Sequence, residues 1–181
     1  MLFEKKGKRN TQETTQIAIK RAKDLGIKHL VVASCSGETT KEFLESGLNI
    51  VCVTHQVGFN NPGEDEMSEE TRLSLQKEGI RVLTTTHLLA GVDRALRFKF
   101  QGIYPAEIIA GTLRMFGQGV KVCVEVSVMA LDAGLIPYGE EIIAVGGTGV
   151  GADTAMILTP AHSAYIFDTN IKEILCMPRG H

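Results

Sequence analysis

The sequence contains no tryptophan, and aromatic residues account for only 6% of its 181 positions. Neither sign of charge dominates, because 19 lysine and arginine residues are balanced by 21 acidic ones, which leaves a net charge of −2. Without a positive surplus, the chain has no general attraction for nucleic acid or for an anionic membrane surface. We therefore expect a small-molecule partner rather than a polymer.

Long apolar runs are also missing from the chain. The longest run, residues 120–131, contains Lys121 and Glu125, and it is shorter than the roughly 20 residues that a membrane-spanning helix needs. The basic stretch 4–9 leads into polar residues and not into the apolar segment of a secretory signal, so a cytoplasmic protein is expected. With ordinary globular composition and no linker or repeat, residues 1–181 are predicted to form a single domain.

Cysteine is sparse and unpaired in its spacing. The four cysteines form no CxxC pair and have no histidine at zinc-finger spacing, which argues against a disulfide framework or a closed zinc site. Cys52, Cys123 and Cys176 lie in apolar runs and are expected to pack as small hydrophobic residues. Cys35 is different because it precedes a predicted helix, where a thiolate is favoured, and it is a minor candidate for a catalytic nucleophile.

Apolar runs and helical patterns alternate along the chain. Strands are predicted at 29–33, 49–54, 80–84, 141–145, 154–159 and 171–176, and helices at 10–26, 40–45, 68–79, 86–100 and in two segments between 105 and 135. Asn10 is expected to cap the first helix, with Glu13 reaching back. Three strand–loop–helix units in series predict an α/β fold with a mostly parallel sheet covered on both faces. The last strand is expected at an antiparallel edge.

A hydroxyl-rich loop follows the first predicted strand and is the first candidate ligand site. It consists of Ser34, Cys35, Ser36, Gly37, Glu38, Thr39 and Thr40. Free backbone N–H groups and the helix dipole favour an anion at such a strand-to-helix turn, so the loop is predicted to bind phosphate. Glu38 would place negative charge beside the anion and is expected to point outward. An ordinary capped helix start explains the same residues equally well at this point.

A second loop, rich in glycine, follows the strand at 141–145. Its first residues are Gly146, Gly147, Thr148 and Gly149, and the stretch satisfies a relaxed GxGxxA dinucleotide pattern. That pattern requires a helix immediately afterwards, whereas residues 154–159 are predicted to form a strand. We therefore expect no nicotinamide site, but a backbone surface that a ligand can approach closely. A plain tight turn is the alternative.

Polar residues also follow the second predicted strand. His55, Gln56, Val57, Gly58 and Phe59 begin a loop at the carboxyl end of that strand, the edge where open α/β sheets bind ligands. The same loop ends in the acidic residues 64–66, which together with a histidine could bind metal or exchange protons. Their spacing matches no known metal pattern, so they are predicted to cap the next helix, and no metal site is expected. His87, after the third strand, has either a site or a packing role.

With those residues in place, the chain resembles the stand-alone relatives of the pyruvate kinase C-terminal domain. The segments that carry the resemblance are ASCSGETT at 33–40, VTHQVGFNNPGEDEM at 53–67, YPAEIIAGTLRMFGQGVKV at 104–122 and GGTGVGADTA at 146–155. The resemblance implies a three-layer α/β/α fold in which residues 34–40 form the phosphate loop. In pyruvate kinase, the similar loop holds an allosteric sugar bisphosphate, and the catalytic barrel lies elsewhere in the enzyme. No pyruvate kinase activity is therefore expected.

The resemblance further implies a ligand. Flavin mononucleotide (FMN) is associated with the stand-alone relatives, and the phosphate loop would bind its phosphate while residues 55–59 and 146–149 flank its ring. A homo-oligomer is also expected. Two other functions stay open, a flavin-dependent enzyme with His55 or Cys35 beside the cofactor, and an allosteric or oligomerisation module that acts on a partner enzyme.

Overall fold

Six α-helices and seven strands are formed by residues 1–180, the part of the chain described by this computed structural model. The strands are β1 (Leu2–Phe3), β2 (His29–Ala33), β3 (Asn49–Thr54), β4 (Arg81–Thr84), β5 (Ile142–Gly146), β6 (Thr154–Thr159) and β7 (Asn170–Pro178). The helices are α1 (Thr11–Leu25), α2 (Glu38–Lys41), α3 (Glu69–Lys77), α4 (Gly91–Phe100), α5 (Pro105–Arg114) and α6 (Gln118–Asp132). None of these helices is long and apolar enough to cross a membrane.

The seven strands form one sheet in the order β1-β7-β6-β5-β2-β3-β4. Strands β2, β3, β4 and β5 are mutually parallel, as are β1 and β7, whereas β6 runs antiparallel to both of its neighbours. The predicted α/β fold with a mostly parallel sheet is therefore confirmed. The last strand is antiparallel to its neighbour as predicted, but its edge position was wrong because β1 pairs outside it. A strand of two residues is too short to show alternation in the sequence.

Hydrophobic side chains cover both faces of the sheet, as buried parallel strands require. On one face Leu30 and Val32 of β2 pack in the same core as Ala18 and Ala22 of α1. On the other face Val31 belongs to a second core that is made largely by α6. Alternate residues of one strand thus enter different cores, and the resulting layers are helix, sheet and helix, as the resemblance implied.

Two local predictions about the first helices need correction. Asn10 does not cap α1 with its side chain, because its Nδ2 donates to the Lys5 carbonyl at 2.6 Å, and a 3₁₀ turn leads directly into the helix. The helix predicted at 40–45 is instead the single turn α2 followed by a 3₁₀ turn at Leu44–Ser46. Gly26 and Gly47 end these two segments in left-handed conformations, with φ of 69° and 75°.

Close packing fixes the start of α6 against β6. A Cβ added at Gly119 would lie 2.0 Å from Oγ1 of Thr154. That hydroxyl is buried and donates to Oδ1 of Asp153 at 2.9 Å, so it cannot move without losing a buried hydrogen bond. Only glycine lets the helix approach the sheet this closely.

Two helical glycines therefore make a matched test of packing against helix propensity. We expect Gly119→Ala to destabilise the fold by about 1–3 kcal/mol, because the methyl group overfills a packed interface. Gly111→Ala in α5 should stabilise by up to about 1 kcal/mol, because a Cβ there meets nothing within 4 Å. Urea denaturation midpoints of both variants measure the difference. A Gly119→Ala variant as stable as the wild type, or more stable, would show that packing at Gly119 is not limiting.

Candidate functional site

A cavity of about 320 Å³ opens at the carboxyl ends of β2 and β3, beside the loop that follows β4. Helices α4, α5 and α6 supply its other wall. It is lined by Ala33, Cys35, Val53, Thr54, His55, Phe59, His87, Leu89, Ala90, Arg94, Arg97, Glu107, Ala110, Arg114, Gln118, Lys121, Val122, Glu125, Val126 and Met129. This is the sheet edge at which open α/β folds bind ligands, and the volume is at the lower end of the usual range for small-molecule pockets.

Positive charge exceeds negative charge around this cavity. Arg97 is paired with Glu107 at 2.6 Å, and Lys121 is paired with Glu125. Within residues 1–180, neither Arg94 nor Arg114 has a carboxylate within salt-bridge distance, and Nε of Arg114 donates to the neutral Gln118 side chain at 2.8 Å. Two uncompensated guanidinium groups in a concave surface are suited to an anionic ligand.

The pair formed by Lys121 and Glu125 lies at the buried base of the cavity. Both residues are more than nine-tenths buried, and both belong to α6. The second carboxylate oxygen, Oε1 of Glu125, accepts the backbone N–H of Leu89 at 2.8 Å. The carboxylate therefore ties α6 to the chain that leaves β4. Removal of either charged partner would leave the other buried and unpaired, which is strongly destabilising.

Three aromatic rings form another side of the cavity. His55 stacks on Phe59 with ring centroids 3.8 Å apart, and His87 lies 5.1 Å from His55 and 5.3 Å from Phe59. Burial lowers the pKa of His87 and so favours the neutral ring. The Glu125 carboxylate acts in the opposite direction. The guanidinium of Arg94 lies 5.5 Å from the centroid of Phe59. Flat aromatic rings and a cation without a carboxylate partner are thus adjacent.

The predicted ring-binding loop after β3 is only partly in the cavity. His55 and Phe59 line it, whereas Gln56, Val57 and Gly58 are not among its lining residues. Val57 is half exposed, and the N–H of Gly58 donates to the Glu64 carbonyl at 2.8 Å, which closes the loop on itself. The loop is therefore an ordered structure that presents two of its rings inward.

The predicted phosphate loop reaches the cavity through Cys35 alone. Ser34, Thr39 and Thr40 are buried, and the Thr40 hydroxyl has no hydrogen-bond partner among the described residues. Helix α3 covers this part of the loop, since a Cβ at Gly37 would lie 2.8 Å from Cγ2 of Thr71. The Thr40 hydroxyl therefore faces protein and not solvent.

Two residues of the same loop remain exposed. Ser36 presents its hydroxyl to solvent, and Glu38 points outward as predicted, where it pairs with Lys41 at 2.6 Å. Cys35 is half-buried, and burial raises its pKa to about 11, an effect to which the Glu66 carboxylate adds. A neutral thiol is the opposite of the activated thiolate that a catalytic cysteine needs.

The glycine loop is followed by strand β6 and not by a helix, as predicted. None of Gly146, Gly147, Thr148 and Gly149 lines the cavity. Gly147 is confined, because a Cβ there would lie 2.2 Å from the Gly151 carbonyl oxygen, whereas Gly149 has φ of 79° and open space around it. The loop therefore needs glycine at position 147 because its own backbone leaves no room there for a side chain.

A buried carboxylate organises this glycine loop. Asp153 is fully buried, and its Oδ2 accepts the backbone N–H groups of Thr148 at 3.2 Å and of Gly7 at 2.8 Å. The N–H of Ala152 donates to the Thr11 hydroxyl at 3.0 Å. The loop is thus fastened to the chain that precedes α1.

Sequence analysis missed the charged residues that α4, α5 and α6 contribute to the cavity. Arg94 and Arg114 resemble ordinary solvated helix residues, and only the folded arrangement shows that they lie over the same opening. Lys121 and Glu125 did give a signal, because charged residues within an apolar helix are rarely buried unless they are paired. In the sequence they only interrupt a hydrophobic run.

Comparison with solved structures finds similarity to pyruvate kinase from Cryptosporidium parvum. One crystal structure matches with 15% identity and a TM-score of 0.41, over 81% of this chain and 21% of that chain. The enzyme in complex with ADP matches with 14% identity and a TM-score of 0.42, over 81% and 22% respectively. The chain thus spans about a fifth of the length of these enzymes.

Comparison with protein families finds one described as "Pyruvate kinase, alpha/beta domain". The match extends over residues 12–158, from the start of α1 almost to the end of β6. It contains the whole of the cavity lining and, apart from the first residue of α1, all six α-helices. Because most of its residues match, the chain belongs to the pyruvate kinase alpha/beta domain family.

Proposed function

We propose that this protein binds a small phosphorylated ligand in the cavity at the carboxyl edge of β2 and β3, and that FMN is the foremost candidate. The observation that supports this most directly is the pair Arg94 and Arg114, which lack carboxylate partners within residues 1–180 although they line a concave surface. Arginine is well suited to phosphate because its planar donors match the phosphate oxygens. The cytoplasm is the compartment in which we propose that it acts.

The aromatic cluster supports a ligand with a planar ring. His55, Phe59 and His87 present flat surfaces within the same cavity, and planar rings stack favourably on such surfaces. FMN combines a flat tricyclic ring with a terminal phosphate, so the two kinds of wall correspond to its two ends. This assignment also rests on the resemblance to the stand-alone relatives.

The phosphate has two possible binding positions in this proposal. We favour Arg94 and Arg114, since they are charged and line the cavity directly. The loop 34–40 is the alternative, and there the exposed Ser36 hydroxyl and nearby backbone N–H groups would bind it, because Thr39 and Thr40 are buried. The glycine loop 146–149 would then flank the ligand from the side of β5.

Comparison of FMN with riboflavin, which lacks the phosphate, isolates the contribution of the arginines. The double variant Arg94→Gln/Arg114→Gln should weaken FMN binding by about 1.5–3 kcal/mol, the usual value for hydrogen bonds to charged groups. Riboflavin binding should change little, because no phosphate is present. Quenching of flavin fluorescence measures both affinities, and Arg179→Gln is the matched control because Arg179 is exposed and does not line the cavity.

Other outcomes of this experiment assign the phosphate elsewhere or reject the ligand. If Ser36→Ala weakens FMN binding while the arginine variant does not, the loop 34–40 binds the phosphate. If the wild-type protein binds neither flavin, FMN is the wrong ligand. Equal losses for FMN and riboflavin in the arginine variant would mean that the arginines support the ring or the fold and not the phosphate.

Phosphoryl transfer from phosphoenolpyruvate to ADP is not part of the proposed function. The chain matches only the alpha/beta domain and spans about a fifth of the similar enzymes. A lactate dehydrogenase-coupled assay on the purified protein should show no turnover above a buffer control. Turnover that copurifies with the wild type and is lost in the Arg94→Gln/Arg114→Gln variant would contradict the proposal.

Self-association is the second proposal, and an exposed apolar surface on α4 and α5 supports it. Helix α4 contains no buried residue. Large apolar side chains are exposed on the two helices and the loops that follow them, namely Val92, Phe98, Phe100, Ile103, Ile108, Met115 and Phe116. Apolar surface of this extent is typical of an interaction site.

Sedimentation velocity tests whether this surface joins copies of the chain. We expect the wild type to sediment as an oligomer and Phe98→Ser/Phe100→Ser to shift to the monomer, since these side chains contribute nothing to the core. Phe167→Ser is the matched control, because Phe167 is 85% exposed but lies on the segment between β6 and β7. A monomeric wild type would contradict the proposal, as would equal dissociation of the control.

A further inference from the structure

Three side chains with metal-binding atoms converge where the loops after β2 and β3 meet. Cys35 lies in the first loop, while His55 begins the second loop and Glu66 lies near its end. The cysteine sulfur, a ring nitrogen of the histidine and a carboxylate oxygen all lie within 4.8 Å of one another. The convergence follows from the topology, because β2 and β3 are parallel neighbours and Ala33 is in register with Val53.

We propose that Cys35, His55 and Glu66 form a binding site for a divalent transition metal, with zinc the best match to the three ligands. Thiolate, imidazole and carboxylate are the three side chains that zinc uses, and three protein ligands with one open position are typical of zinc sites that also bind a small molecule. Two ligands on one zinc ion lie at most about 4.5 Å apart, so small side-chain rotations bring this cluster into range.

The surroundings of the cluster orient its ligands. Nδ1 of His55 contacts Oε2 of Glu66, and the other carboxylate oxygen accepts Nδ2 of Asn60 at 2.8 Å. The imidazole ring is held from one side by Phe59, whose centroid is 3.8 Å away. Hydrogen bonds to a ligating carboxylate and packing against a ligating histidine are the outer contacts that fix a metal site before the ion arrives.

The loop that carries His55 and Glu66 is closed by its own hydrogen bonds. Gly58 donates to the Glu64 carbonyl at 2.8 Å, and Glu64 donates to the Asn61 carbonyl at 3.1 Å. The Asp65 side chain accepts the N–H of Met67 at 3.0 Å and pairs with Arg72 of α3 at 2.6 Å. The two ligands are thus held on a preformed loop, and little chain entropy is lost when metal binds.

A divalent transition metal would bind Cys35 in its thiolate form. A divalent cation at the same place would supply the missing positive charge and stabilise the thiolate as a ligand. In that reaction the sulfur–metal bond forms, the S–H bond breaks and the proton passes to solvent.

Cys35 and His55 both line the cavity, so the open position of the metal would face it. An oxygen of an anionic ligand could occupy that position. Metal binding itself requires only the three side chains, so the inference stands whether or not FMN binds. The spacing argument against metal in the loop 55–66 did not apply to this set, because Cys35 comes from a different loop.

The test uses the full chain after treatment with a chelator and dialysis. Zinc titration against a chromophoric competitor should show one site per chain, and cobalt should give a thiolate-to-metal charge-transfer band in the near ultraviolet. Cys35→Ser should abolish the band. Glu66→Gln should weaken zinc binding by at least roughly 10–100-fold, the effect seen even for outer contacts of metal sites.

Glu64→Gln is the matched control. It makes the same chemical change on the same loop, at a carboxylate that accepts a hydrogen bond from Asn61 and is not in the cluster. We expect it to bind zinc like the wild type. Circular dichroism of each variant checks that the fold is retained.

Three results would overturn the inference. The first is the absence of zinc uptake by the wild type. The second is a cobalt spectrum of the wild type without a thiolate band. The third is wild-type affinity in the Glu66→Gln or the Cys35→Ser variant, which would place any bound metal elsewhere, for example at the pair of His162 and Asp132.

Discussion

The cavity depends on one buried carboxylate. Glu125 neutralises Lys121 and accepts the N–H of Leu89, so the same group balances a buried charge and fixes the chain that leads into α4. Its charge also acts on His87, where it opposes the effect of burial. The side of the cavity that carries His87 and the side that carries Arg94 of α4 are therefore both linked to α6. A hydrophobic residue at position 125 could fill the space, but it could not accept the backbone N–H group.

The carboxyl edge of the sheet has two unlike parts. On the side of β3 and β4, the chain leaves a cavity with free arginines and aromatic rings. On the side of β5, the buried Asp153 and the glycine loop fill the corresponding space with hydrogen-bonded backbone. The loop 34–40 lies between them, and its threonines are covered by protein. Of this loop, Cys35 alone lines the cavity.

Features that depend on the local sequence could be predicted, whereas features that depend on contacts between distant segments could not. Strands such as β2 and β3 were predictable, because a strand buried on both faces has to be a continuous apolar run. The edge to which His55 belongs follows from the parallel order of these strands. The burial of Thr39 and Thr40 was not predictable, since it depends on α3 packing over the loop. The position of Arg94 and Arg114 in the cavity lining was not predictable either, because their helices look amphipathic and exposed until their place over the sheet is known.

Helix α4 is attached to the molecule by few interactions, which has a thermodynamic consequence. No residue of this helix is buried, and polar contacts join it to α5, where the N–H of Ala106 donates to Asp93 and Glu107 pairs with Arg97. Segments with little buried apolar surface open at a much lower free energy than the core. A ligand that binds Arg94 only when α4 is in place must therefore lower the population of the open helix, and mutations that populate the open helix must weaken the apparent binding of that ligand. Order in this helix and occupancy of the cavity are thus two coupled equilibria.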